Sequence, residues 1–310
     1  MKCLVTGAAG FIPSHLYESL KKEGHQVKGI DNFSHACGRP MPDIKYADIR
    51  YYQDIDKLVE WADIVFHLAA QNHVDKSIEH VEETLDTNIK GTYNILEACR
   101  VHGGKKMVFA STSEVYGTNT DKLSENSPTS AQSPYAVSKL AGDKLCGNYH
   151  DLYGVKVWRL RNFNVYGEWQ NNGSYGSVIP IFVKQALEGK QLTIFGTGEQ
   201  RRDYMYIDDA IQAYKLITDI PQLEGDVVNA GFGTSVSIND LGKLICKIVN
   251  VPFNPVYLPA RAGEVMKLEA DTTLFESYGF KPTIDIEKGL TQYIEWYKQY
   301  GYIQNNTRTN

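Results

Sequence analysis

The chain has 310 residues, enough to bury a full core and to divide into one large domain and a smaller lobe. Its net charge of -5 leaves no electrostatic footprint for nucleic acid or for an anionic membrane. The five cysteines (Cys3, Cys37, Cys99, Cys146 and Cys246) are scattered and form no C-x-x-C pair, which fits reduced thiols in a cytoplasmic protein better than a disulfide framework or a zinc site. No apolar run reaches membrane-span length, and Met1–Thr6 is too short for a signal peptide.

Taken in chain order, Lys2–Thr6 is a short apolar run that ends in Gly7. A helical pattern follows from about Phe11 to Lys22, then an apolar run Gln26–Ile30 that ends in Asp31. Further strands are expected at Asp63–His67, Lys106–Ala110 and Val155–Arg161, with helical patterns over Val81–Arg100 and Pro134–Tyr153 between them. Alternating strands and helices imply an α/β fold with a doubly wound parallel sheet covered on both faces. The regularity weakens after about Gly167, where shorter elements alternate with turns such as Gly196–Glu199 and Pro252–Pro255. The expected organisation is a nucleotide-binding domain over 1–167 to which a later segment returns, a ligand-binding lobe over 168–303, and a polar flexible tail over 304–310.

The N-terminal strand, turn and helix carry a nucleotide signature. Glycines in Gly7-Ala8-Ala9-Gly10-Phe11-Ile12-Pro13 let the backbone approach a pyrophosphate, whose charge sits on the free N–H groups of the helix end. Asp31 falls about twenty residues later, where an acid accepts bonds from a ribose 2′-hydroxyl and repels a 2′-phosphate. The fold is therefore expected to be Rossmann-type and the cofactor NAD rather than NADP. Pro13 stands where a third glycine would complete the pattern. Proline is tolerated in a first helical turn, so NAD is expected still to bind, with the turn slightly shifted.

A second pair of segments carries chemistry: Ser111-Thr112-Ser113-Glu114-Val115-Tyr116-Gly117 and Ser133-Pro134-Tyr135-Ala136-Val137-Ser138-Lys139. Tyr135 and Lys139 are four apart and share one helix face, behind a Ser-Pro helix start. A lysine ammonium and a nicotinamide cation nearby would favour phenolate and make Tyr135 a usable base. Tyr17 and Lys21 have the same spacing on the first helix and read as structural, so spacing alone carries little weight. His67 and His73 lack acid or histidine partners at ligand spacing, and no metal site is expected.

From Lys2 to about Tyr297 the chain resembles an extended short-chain dehydrogenase/reductase of the NAD-dependent nucleotide-sugar epimerase/dehydratase group. Further segments carry the resemblance: His67–Gln71, Thr87-Asn88, Arg161–Gly167, Gly198–Tyr204 and Arg261–Glu264. It implies that Gly7, Gly10, Phe11 and Ile12 hold the NAD pyrophosphate, and that Asp31 and Asn32 take the adenosine ribose. Asp48 and Ile49 would border the adenine, and Ala69, Ala70, Gln71 and Asn88 would line the cofactor path. Thr112, Tyr135 and Lys139 would form the hydride-transfer site. Asn164, Arg202, Arg261 and Glu264 would hold the nucleotide diphosphate and ribose of the substrate, with Val178, Leu192 and Phe195 near its base. Plainer readings stand beside these: an Arg202–Asp203 surface ion pair, a solvated Arg261, and ordinary packing for Phe195. A homodimer built on the Tyr135 helix and the helix before it is also implied.

The reaction turns on Ser113 and Glu114. In 4,6-dehydratases of this kind a glutamate before Val-Tyr-Gly removes the carbon-5 proton of a 4-keto sugar, whereas 4-epimerases need no such carboxylate. The Thr-Ser-Glu triplet therefore favours an NDP-hexose 4,6-dehydratase. Ser174–Pro180 and Gly198–Tyr204 read more like UDP-sugar 4-epimerases, which is the alternative. A UDP-glucuronate decarboxylase is disfavoured because Met266–Leu268 offers a lysine and no arginine. A simple 4-dehydrogenase and a non-enzymatic NAD or nucleotide-sugar sensor complete the set. Glu114 also has a plain reading, as a strand-end carboxylate paired with a neighbouring base or backbone N–H.

Overall fold

Residues 1–119, 121–171, 176–260 and 265–306 are described by the computed structural model. In chain order the first part comprises β1 (Lys2–Thr6), α1 (Phe11–Lys22), β2 (Gln26–Asp31), β3 (Lys45–Tyr46), α2 (Tyr52–Trp61), β4 (Ile64–His67), α3 (Val74–Glu79), α4 (Val81–Leu85), α5 (Gly91–His102), β5 (Lys106–Thr112), α6 (Pro134–Tyr153) and β6 (Lys156–Asn162). The second part comprises β7 (Asn164–Tyr166), α7 (Val178–Leu187), β8 (Thr193–Phe195), β9 (Arg201–Tyr206), α8 (Ile207–Leu216), β10 (Val227–Ala230), β11 (Ser235–Ser237), α9 (Ile238–Val249), β12 (Val256–Leu258), β13 (Lys267–Leu268), α10 (Thr273–Ser277) and α11 (Ile286–Asn306).

Seven strands form one parallel sheet in the order β10-β6-β5-β4-β1-β2-β3. β4 is buried at every position, the pattern of a strand covered on both faces. The order reverses between β1 and β4, so the loops after them splay apart and open a crevice at the carboxyl ends. The Rossmann-type expectation holds. β10 joins β6 after the chain has passed through the lobe. One face of the sheet packs Ile55, Val59, Leu96, Phe109 and Cys146. The other face carries Leu16, Tyr17, Phe66 and Trp158 in a cluster that runs on into Phe182, Leu192 and Ile245 of the lobe, so sheet and lobe share a core.

The boundaries of α1 and α6 match their sequence signals. Ser133 caps α6 by accepting the Ala136 N–H at 3.1 Å, Pro134 starts the helix, and Gly154 ends it in the left-handed conformation. β5 runs two residues beyond the expected Ala110, because Ser111 and Thr112 continue the pairing with Arg161 and Asn162 of β6. The single helix expected over Val81–Arg100 is instead α4, a π-turn at Asp86–Lys90, and α5. The π-turn surrounds Asn88, which the next subsection places at a junction.

Candidate active site

A cleft of about 520 Å³ lies over the carboxyl ends of β1, β2, β4 and β5 and extends beneath the lobe. At one end stands the glycine turn. Gly7 adopts φ +71°, and a Cβ there would stand 2.8 Å from the Ala69 Cα, so the turn closes against β4 only with glycine at this position. The Gly10 N–H donates to the Gly7 carbonyl at 2.8 Å, and α1 starts at Phe11. The Pro13 ring lies under Gly10, 3.2 Å from where a Cβ would be, and its missing N–H falls in the helix end where no intrahelical partner exists. Asp31 accepts the Ala9 N–H at 3.0 Å and the Phe33 N–H at 2.6 Å, which fixes its carboxylate at the cleft edge.

Deeper in the cleft, Thr112 ends β5, Ser113 and Glu114 follow it, and Tyr135 and Lys139 face them from the first turns of α6. The Thr112 hydroxyl stands beside the Tyr135 hydroxyl and accepts the Glu114 N–H at 3.3 Å. The sequence reading looked to Lys139 to draw Tyr135 toward phenolate. In the protein alone, burial pushes Tyr135 up to about 12, the Thr112 hydrogen bond opposes that, and the Glu114 charge adds to it. Lys139 is itself pushed down to about 8 by burial, with its Nζ 4.3 Å over the Phe109 ring.

Glu114 is half-buried and borders the cleft. Burial raises its carboxyl above the ordinary range, and the Arg202 guanidinium pulls the other way. Arg202 lines the cleft from β9 and donates to the Arg201 carbonyl at 2.9 Å. Its neighbour Asp203 points to the other face of the strand, where it accepts N–H groups from Phe232, Gly233 and Ala270 and is pushed up to about 6 by burial. Strand alternation thus separates the pair that the sequence placed side by side.

Over residues 3–231 the chain matches the profile of the NAD dependent epimerase/dehydratase family. It is 37% identical to the UDP-N-acetyl-alpha-D-glucosaminuronate decarboxylase of Bacillus cytotoxicus, over 96% of this chain and 98% of that one. It is 32% identical to a dTDP-glucose 4,6-dehydratase of Streptomyces niveus, over 96% and 93%. The crystal structure of the Thermotoga maritima UDP-glucose 4-epimerase with UDP-glucose superposes with a TM-score of 0.92 at 32% identity, covering 96% of this chain and 99% of that one. The chain belongs to the NAD-dependent epimerase/dehydratase family.

As a member of that family it is an NAD-dependent enzyme. The residues present fit the cofactor. The cleft offers a glycine turn at a helix end, an acid at the end of β2, and side-chain atoms with no hydrogen-bond partner among the described residues, namely the Ser111 Oγ and Asn162 Oδ1. Gly7, Gly10, Phe11, Ile12, Asp31, Asn32, Ile49, Ala69, Ala70 and Gln71 all border the cleft, as do Asn164, Val178 and Arg202.

Four expected residues do not line the cleft. Asp48 is buried and its carboxylate is taken by Arg50, at 2.6 Å, and by Asn32. Asn88 lies behind the wall: it binds the backbone of Gln71 on both sides and donates to the Ser138 Oγ at 2.8 Å. Leu192 is 2% exposed in the lobe core, within reach of Gly242, and does not line the cleft. Phe195 ends β8, which pairs with β12, and is not among the residues that line the cleft. Arg261 and Glu264, with Ser174 and Tyr175, lie outside the described residues. Sequence reasoning did not single out Tyr204 or Tyr214, which both line the cleft. Tyr214 accepts from the Asn162 Nδ2 at 2.7 Å, but it comes from α8, with no local motif to mark it.

Proposed function

We propose that this enzyme oxidises carbon 4 of a nucleoside-diphosphate hexose and then removes the carbon-5 proton, as in a 4,6-dehydratase. The observation that carries this reading is Glu114. It opens onto the cleft beside Thr112 and opposite Tyr135, and burial makes it a stronger base than an ordinary carboxylate. NAD supplies the hydride acceptor and later the hydride donor. Tyr135 takes the proton of the 4-hydroxyl, and Thr112, which lines the cleft beside it, orients that hydroxyl. Lys139 keeps a positive charge beneath the site. The 4-keto group acidifies carbon 5, and Glu114 takes that proton and carries it to the leaving hydroxyl of carbon 6. Arg202 holds the substrate diphosphate, where its planar fork matches phosphate oxygens.

A 4-epimerase is the second reading, favoured by the close superposition on the Thermotoga maritima enzyme. Decarboxylation has less support, since Lys267 is turned to Glu269 at 3.6 Å. Incubation with UDP-, GDP-, CDP- and dTDP-sugars in deuterated water separates these outcomes by mass spectrometry. Loss of water with one carbon-bound deuterium at carbon 5 is expected. An unchanged mass with a 4-epimer formed would replace this reading with the second.

We also infer a homodimer through the outer faces of α5 and α6, where Tyr93, Val137 and Tyr153 are exposed apolar surface. Sedimentation at two concentrations tests it, and a monomer at both would remove it.

A further inference from the structure

Beneath the cleft lies a buried histidine that no catalytic role uses. His67 ends β4, is 1% exposed, and sits between two threonines. Its Nδ1 is 2.8 Å from the Thr6 Oγ1, and its Nε2 is 3.0 Å from the Thr92 Oγ1. The outer ends of this row settle where each proton lies. Thr92 donates its only hydroxyl proton to the Asn88 carbonyl at 2.6 Å, and a carbonyl cannot donate in return. Thr92 can therefore only accept from His67, so the Nε2 bears hydrogen. A neutral imidazole then has a bare Nδ1, so Thr6 must donate to it. Thr6 in turn accepts the Ala69 N–H at 3.1 Å, which agrees with that direction.

We propose that His67 is a positioning residue, fixed as the Nε2–H tautomer, whose one-way hydrogen-bond row from the Ala69 N–H to the Asn88 carbonyl locks the cofactor turn to the catalytic helix. Both ends of the row reach the working site. Ala69 is the residue against which Gly7 closes. Asn88 stands in the π-turn, holds Gln71 by two backbone bonds and donates to the Ser138 Oγ, and Ser138 donates to the Tyr135 carbonyl at 2.7 Å. The imidazole also lies 5.9 Å from the Phe109 ring, the ring over which the Lys139 ammonium sits. Burial, aided by the Lys139 charge, holds His67 down to about 3, so the row keeps its direction across the working pH range.

Nitrogen NMR of the His67 ring in the full-length protein tests the tautomer without any substrate. A neutral Nε2–H signal that does not titrate between about pH 5 and 8 is expected from an imidazole this deeply buried. A titrating ring, or the Nδ1–H form, overturns the proposal. The coupling is tested by Thr92→Val, which removes the acceptor of Nε2–H and the bond to Asn88 while leaving the Thr6 half intact. Turnover should fall about ten- to a hundredfold with NAD affinity within twofold of wild type, as expected when a reacting group is slightly misplaced. His67→Asn should behave likewise, because its side-chain oxygen can replace the Nδ1 acceptor but not reach Thr92. Unchanged turnover in Thr92→Val, with only a lower melting temperature, would reduce the row to a structural role.

Discussion

Two helices of this protein carry the same Tyr-x-x-x-Lys spacing, and they use it in opposite ways. On α1, Tyr17 is buried in the core, while the Lys21 side chain is 41% exposed and pairs with Asp43 at 2.9 Å. Its ammonium lies 5.2 Å over the Tyr17 ring. That is a surface helix using a lysine stem to cover its own aromatic. On α6, Tyr135 borders the cleft, while Lys139 is 4% exposed, over another residue's ring, with no carboxylate at ion-pair distance among the described residues. The lysine charges are consequently displaced in opposite directions: Asp43 raises Lys21, and burial lowers Lys139. Spacing places two side chains on one face; what that face meets decides whether the pair covers the surface or lines a cleft.

The largest expected effect breaks the symmetry outright. Tyr135→Phe should cut turnover about a thousandfold with substrate binding retained, as loss of a positioned acid–base group does. Tyr17→Phe should leave kcat within about twofold. Equal losses in steady-state assays of the two variants would mean that α6 has no special role.

Lys139→Met sharpens the comparison by moving activity and stability apart. Turnover should drop about a hundredfold, yet the melting temperature near neutral pH should rise, because a costly buried charge is gone. Between about pH 8 and 10.5 the unfolded chain holds a proton that folded Lys139 has released, so wild-type stability gains from this group as pH rises through that window. The variant should lose that slope. Lys21 has the opposite sign: its contribution is present at lower pH and is lost as pH rises through its raised value. Calorimetry from about pH 8 to 10.5 reads the Lys139 slope, and the Lys21 loss falls above that window.

A smaller effect distinguishes the helix starts. Ser133→Ala removes the cap of α6 and should cost about 1 kcal/mol by urea unfolding. Gly10, at the N-cap of α1, has no side-chain cap to remove. The smallest expected change is Lys21→Met, whose urea-unfolding midpoint should be close to that of wild type, since exposed ion pairs contribute little.

The sequence is most legible where local chemistry and burial agree. Lys2–Thr6, the glycine turn and Asp31 announce a nucleotide crevice because each does its work through the backbone or close to it. Ser133, Pro134 and Gly154 bound α6 for the same reason. Legibility fails where distant segments decide. Nothing near Asp86–Lys90 signals that the helix will admit an extra residue per turn around Asn88. Nothing near Leu192 and Phe195 in the sequence marks their packing, the first against Gly242 of α9 and the second in a small sheet with β12. Thr6, His67 and Thr92 lie on three separate elements, and only the parallel pairing of β1 with β4 and the return of α5 bring them into one row.

The placement of β10 bears on how the chain is made. Its strand is the last of the seven to leave the ribosome, some sixty residues after β6, which it must join. Until then β6 presents an open edge, and the early sheet is exposed to unwanted pairing with other nascent chains. The segment in between is the stretch that builds the first part of the lobe, so lobe and sheet edge mature together. The parallel sheet therefore gains its last strand only after the chain has passed through the first part of the lobe, and the rest of the lobe follows.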